Sequence, residues 1–477
     1  MGNEHSSPPK TEGQVDGRPV TFTLRQDEKT GKRELIWQEH ENASQGRLTD
    51  KDIIAALPVH AQIPDDYSIL YASPNPSAPD NPQASPVIFK SLLATNLPQP
   101  FIHHFQPPGN ACWQLRADNG AFPNLHIIVS SGSGTGQAED VWTQLVKPML
   151  QHVCPKANAY ALHTTTSEHT VAELAREVFL PQANDGVTQA IILLSGDGGL
   201  VDVVNTLLAG PCSKRYKKPN ATILPLGTGN AMAHSVGLTS DNTMGLRNLL
   251  QGATKPLPLF RASFSPGARL LVDEAREERR LSDVNRVPTV YGAVVCSWGL
   301  HAGLVADSDT HEYRQHGAER FKMAAEEALF PKDGSPAHAY RGKVSVLRPL
   351  SGEWERVDRE THAYVLATLV SKLEKGFTIS PSSKPLDGKL RLVHFGAIGG
   401  QGAMDLMTKA YQDGKHIDDE RVGYEEITGL RIEFEEEEAR WRRVCVDGKI
   451  VRVEAGGWVE VRSGVESVLD LIIDERT

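Results

Sequence analysis

Cysteine is scarce and scattered. Five occur in 477 residues, Cys112, Cys154, Cys212, Cys296 and Cys445, and no two form a CxxC pair. The odd count and wide spacing exclude a disulfide framework and a cysteine-built zinc site, and they fit a reducing compartment. Long apolar runs are missing too: none approaches the roughly 18–20 residues of a membrane span. The first residues are polar, so no secretory leader is expected. Positive charge is also short. Fifty Lys and Arg stand against 60 Asp and Glu, a formal net charge of −10, with no basic stripe. That argues against a nucleic-acid partner and against nonspecific attraction to anionic lipid. What remains is an ordinary globular composition, 39% hydrophobic and 23% charged, in a chain long enough for several domains.

One targeting pattern is present. Met1-Gly2-Asn3-Glu4-His5-Ser6 fits N-myristoylation with Gly2 as acceptor. A single acyl chain would hold a membrane weakly and reversibly. Residues 1–20 read as disordered and residues 21–120 as a β-rich extension without an assigned role. The character changes near Pro123. Three strand–glycine loop–helix units follow. His126–Val129 leads into Ser130-Ser-Gly-Ser-Gly-Thr-Gly136, Ala190–Leu194 into Ser195-Gly-Asp-Gly-Gly199, and Ala221–Leu224 into Gly227-Thr-Gly-Asn230. Such units imply a parallel sheet with its loops gathered on one edge, over residues 121–255. Short strands separated by turn residues fill 256–477 and suit a β-sandwich. Arg269 to Asp283 reads as a charged surface loop or exposed helix.

Glycines allow close approach of backbone N–H groups to phosphate, and the following helix adds its positive end. The first loop is not a Walker A loop, because no Gly-Lys-Ser/Thr follows. Asp197 in the second loop repels phosphate. It is therefore a turn former, a metal partner or a proton acceptor.

Taken together, these loops resemble the diacylglycerol kinase catalytic-domain family, which includes sphingosine and ceramide kinases. Ser195-Gly-Asp-Gly198, Asp202-Val-Val-Asn205 and Gly227-Thr-Gly-Asn230 look like its central motifs. Ser297-Trp-Gly-Leu300, Glu312-Tyr-Arg314 and Arg320-Phe321 look like the sphingosine-kinase branch, and Val446-Asp-Gly-Lys449 like the family's terminal Asp-Gly-Glu. The resemblance implies an α/β nucleotide domain with a parallel sheet, a β-sandwich second domain, and ATP in the cleft between them. It implies ATP-dependent phosphorylation of a lipid hydroxyl, most of all on a sphingoid base such as sphingosine. Diacylglycerol or ceramide is the alternative acceptor. A more distant enzyme reading is an NAD kinase, and another class is a catalytically weak nucleotide- or lipid-binding scaffold. By the same resemblance Asp197 is the catalytic base. Ser130, Ser133, Gly134, Gly136, Thr164, Ser195, Gly196, Gly198, Gly227, Thr228, Asn230, Arg314 and Arg320 would bind ATP. For the two arginines the alternative is salt bridging to Glu312 and Glu319. Mg²⁺ would arrive with ATP, with Asp447 and Asp202 as candidates to order its shell. The expected location is cytoplasmic, with peripheral membrane contact. Three positions depart from the family pattern: Ser130-Ser131 replaces Asn-Pro, Lys449 replaces Glu, and Gly303 stands where an Asp reads the lipid head. Asp307 or Asp309 is the candidate for that last role.

Overall fold

The computed structural model describes residues 10–27, 31–42, 44–60, 63–107, 124–132, 134, 136–154, 160–316 and 319–474. Its N-terminal part is a seven-stranded antiparallel sheet, from Lys10–Val15 to Val87–Thr95, in which the first strand pairs with both the second and the last. Strands at Lys10–Val15 and Arg18–Gln26 place structure inside the stretch expected to be disordered up to residue 20. The helix Gln99–Phe105 caps this sheet, burying Phe101, Ile102 and Phe105 against Phe22, Ile53 and Ile69. Side chains alternate in direction along a strand. Leu70 and Ala72 therefore point the other way from Ile69, and with Ile54 and Ala55, at a register irregularity of their strand, they pack onto Val141, Leu145 and Met149 of the next domain.

That domain is built on a six-stranded sheet. Leu125–Val129, Ala161–Thr164, Ala190–Ser195 and Asn220–Pro225 run parallel. The first and third are buried along their whole length, which is why they read as unbroken apolar runs. Two further strands join this sheet, one at the expected boundary and one from well beyond it. Asp470–Ile473 pairs in parallel beside Asn220–Pro225, and Ala253–Pro256 pairs antiparallel with it at the edge. The chain end thus returns to the α/β domain, although the sequence pattern assigned it to the sandwich.

The sandwich consists of two eight-stranded sheets. Between them Phe260, Trp298, Val344, Leu392, Ile432 and Val461 form the core. The charged stretch 269–283 is neither loop nor helix. Arg269–Val272 and Glu277–Arg280 pair as a hairpin, whose first strand extends the sheet through Lys449–Arg452. Arg452 holds it by donating to both oxygens of Glu278. Among the described residues no helix is long and apolar enough to cross a membrane.

Candidate active site

Three parallel strands end side by side, so the loops that follow them meet. Gly196 and Gly227 are in backbone contact: a Cβ on Gly227 would lie 2.4 Å from the Gly196 Cα. Gly134 has φ +56°, and a Cβ there would lie 2.0 Å from the Leu226 carbonyl oxygen. No other residue type fits without moving the loops. Asn230 locks the third loop. Its Oδ1 accepts from the Gly227 N–H at 2.8 Å, and its Nδ2 donates to the Gly227 carbonyl at 2.7 Å.

These loops form one wall of a cleft of about 800 Å³. The sandwich supplies the other wall, with Val294, Val295, Cys445 and the turn Asp447–Lys449, and with His301, Val305, Asp309 and Phe321 beyond it. Asp197 opens the helix Asp197–Ala209 at the floor. The Met232 N–H donates to both of its oxygens, at 3.2 and 3.3 Å. Burial pushes its pKa up to about 6 against the pull of the Met232 and Ala231 N–H groups. Across the cleft Asp447 accepts from the N–H groups of Ala293 (2.6 Å), Val294 (3.1 Å) and Val295 (2.6 Å). Burial pushes it up to about 7; the three N–H groups oppose this, and the charge of Asp197 adds to it. Two carboxylates poised near neutrality at one glycine-lined cleft can exchange protons with a bound hydroxyl.

Residues 124–262 match the family model of the diacylglycerol kinase catalytic domain. The chain carries a diacylglycerol kinase catalytic domain. Sphingosine kinase 1 of Homo sapiens is 23% identical over 361 residues, covering 69% of this chain and 86% of that protein. Sphingosine kinase 2 of Homo sapiens is 26% identical over 234 residues, covering 47% of this chain and 30% of that protein. A crystal structure from Bacillus anthracis str. Sterne, assigned as a diacylglycerol kinase, aligns with a TM-score of 0.50 at 16% identity. It covers 74% of this chain and 96% of its own, and it shows the shared fold. The protein is a lipid kinase whose relatives lie on the sphingosine-kinase side of the family.

The kinase cleft gathers most of the expected residues and leaves some out. Ser130, Gly134, Ser195, Gly196, Asp197, Gly198, Gly227, Thr228 and Asn230 line it. Thr164 does not: it is exposed at its strand end, and Thr165 and Thr166 take that edge. Gly136 lies beyond the lining, beside Gln83 of the loop that joins Ile63–Pro74 to Val87–Thr95. Gly2, Ser133 and the side chain of Arg314 lie outside the described residues. Arg320 does not line the cleft. It stands 3.6 Å from Asp309, with its guanidinium over the Phe321 ring.

The two lipid-head candidates separate. Asp309 lines the cleft. Asp307 turns into a second cavity of about 670 Å³ and pairs with Arg440 (3.0 Å) and Arg443 (2.7 Å). His301 was not singled out by sequence. It follows the Trp298-Gly-Leu300 motif directly, its Nδ1 lies 2.7 Å from Ser297 Oγ, and burial lowers its pKa to about 4.

A divalent cation is implied by ATP-using kinases, and the expected protein ligands do not fit one. Asp447 spends its oxygens on three backbone N–H groups, and Asp202 Oδ1 is held by Lys449 Nζ at 2.6 Å. Among the described residues no group of three or more His, Cys, Asp and Glu side chains converges. Both Asp447 oxygens and Asp202 Oδ1 are thus already engaged by N–H and ammonium donors.

Gly134→Ala tests the loop geometry. The added methyl must displace the Leu226 backbone, so kcat/KM for ATP is expected to fall roughly 10–100-fold while the fold persists. Steady-state kinetics at varied ATP, with circular dichroism of the variant, decides it. An unchanged kcat/KM would mean that this loop does not set the nucleotide position.

Proposed function

We propose that this kinase transfers the γ-phosphate of ATP to the hydroxyl of a sphingoid base. The observation that carries the reading is Asp197. It is a carboxylate with a raised pKa, fixed at a helix start between glycine loops, in a cleft closed by a second domain. Phosphoryl transfer needs position and charge stabilisation more than covalent chemistry. The loop N–H groups and the positive end of the helix Asp197–Ala209 hold the phosphates. Asp197 accepts the hydroxyl proton as the new O–P bond forms. The Met232 N–H keeps the carboxylate aimed while it does so. Asp309, at the cleft edge, offers negative charge to the amine of a sphingoid base. The related sphingosine kinases support that acceptor. A lipid acceptor also brings the chain to a membrane surface.

One observation favours a second reading. Asp307 carries two arginine partners and Asp309 has Arg320 nearby, which weakens the pull on a lipid ammonium. A neutral headgroup, as in ceramide or diacylglycerol, fits that charge balance. The two are separated by incubating the full chain with labelled ATP, magnesium chloride and mixed micelles of sphingosine, phytosphingosine, ceramide or diacylglycerol. Label on the sphingoid bases is expected. Label only on ceramide or diacylglycerol would move the acceptor. Absence of label on every lipid, from protein that binds ATP, would reject the kinase reading for this panel.

A further inference from the structure

The kinase reading brings a polyphosphate tail into a cleft that is strongly acidic. Glu168, Asp197, Asp202, Asp309 and Asp447 line it, and Lys449 is the one Lys or Arg among the described lining residues. The glycine loops and the helix end offer only partial charges. The place of Lys449 follows from a tight turn. Val446 pairs with Lys449 across Asp447 (φ +49°) and Gly448 (φ +85°), a two-residue hairpin with both central residues left-handed. The turn aims Asp447 back at the 293–295 backbone. It also carries Lys449 across the cleft to Asp202, five residues into the helix that Asp197 opens. The Lys449 side chain is 30% exposed, so an incoming ligand can reach it.

We propose that Lys449 is a polyphosphate-binding residue, its ammonium bridging Asp202 and the phosphate oxygens of the bound nucleotide. It supplies from the chain itself part of the positive charge that the acidic cleft lacks. An ammonium has three donors, so contact with phosphate does not require it to leave Asp202. The inference rests on the kinase reading and is tested apart from turnover.

The experiment is equilibrium binding of ATP, tripolyphosphate and adenosine to the full chain in EDTA, repeated with magnesium chloride. Wild type is expected to bind ATP and tripolyphosphate without the divalent ion. Lys449→Gln is expected to weaken both by about tenfold or more, the scale of one charge-assisted hydrogen bond, and to leave adenosine unchanged. Asp202→Asn keeps the lysine and removes the negative charge beside it, so tripolyphosphate should bind more tightly. Equal binding by wild type and Lys449→Gln overturns the inference alone, and so does a failure of Asp202→Asn to tighten binding. Should wild type bind no ATP even with magnesium chloride, the kinase reading falls as well.

Discussion

Asp197→Asn is expected to lower kcat by roughly 10²–10⁴-fold, the range for loss of a positioned general base, with ATP affinity retained. Asparagine keeps the carbonyl that accepts from the Met232 N–H, so the loop need not move. The same change should stabilise the fold. The folded-state pKa of Asp197 is raised from 3.8 to about 6. The folded chain therefore holds this proton more tightly than the unfolded chain does. Stability from that difference is present below pH 3.8 and is lost as pH rises through about 6. At pH 7.5 the ionised, enclosed carboxylate opposes folding, by about 1–3 kcal/mol at roughly 1.4 kcal/mol per unit. The variant should thus unfold at a higher temperature at pH 7.5 and show little gain at pH 4. Activity gives an independent check. A base must be ionised to act, so wild-type kcat should climb with pH through the region near 6. Asp447, raised to about 7 in part by the Asp197 charge, couples to that limb, and the profile belongs to the pair. Full turnover in the asparagine variant would remove Asp197 from the chemistry.

Arg247→Met should weaken the attachment of the N-terminal sheet by about 3–5 kcal/mol, the cost of breaking a buried ion network from one side. Arg247 is 8% exposed. Its Nε donates to the Ile53 carbonyl at 2.8 Å, and its Nη1 reaches Asp50 at 3.0 Å and Asp241 at 3.2 Å. Its guanidinium lies 5.6 Å from the Phe105 ring centre. Methionine fills the volume and leaves two enclosed carboxylates without their shared cation. Burial alone would raise the pKa of Asp50, but a hydrogen bond from His104 and the charge of Arg247 hold it at about 2. The contribution of Asp50 is therefore present above pH 3.8 and is lost as pH falls through about 2. In the variant that acid-sensitive part should shrink. Hydrogen exchange would report it as faster opening of Ile53–His60 and Ile63–Pro74 at neutral pH. Unchanged protection there would show that apolar packing on the helix through Val141 and Met149 suffices to hold the sheet.

The resulting picture gives the N-terminal sheet a defined place. Its 75–86 segment reaches the first glycine loop, where Gln137 donates to the carbonyls of Pro82 (2.9 Å) and Ala84 (3.1 Å) and Asp140 accepts from the Ser85 N–H at 2.6 Å. Residues 21–120 read as β-rich without an assigned role, because a contact across 55 positions leaves no local pattern.

What the sequence determined by itself is local. Buried parallel strands must be continuous apolar runs, and backbone-to-backbone approach demands glycine. Ala190–Leu194, Asp197 and the three loops are therefore legible in the sequence, and with them the α/β domain and the carboxylate proposed as its base. Only the tertiary structure decided what depends on partners far along the chain. Asp447 is committed to the N–H groups of residues 293–295, Asp202 meets Lys449 across 247 positions, and Asp307 goes to Arg440 and Arg443 while Asp309 stays at the cleft. The strand Asp470–Ile473 likewise left its expected domain to pair beside Asn220–Pro225. A carboxylate reads the same in sequence whether it faces a metal, an ammonium or a peptide N–H. Folding chooses among them, because a charge leaving water must be paired with whatever donor the packed chain brings to it.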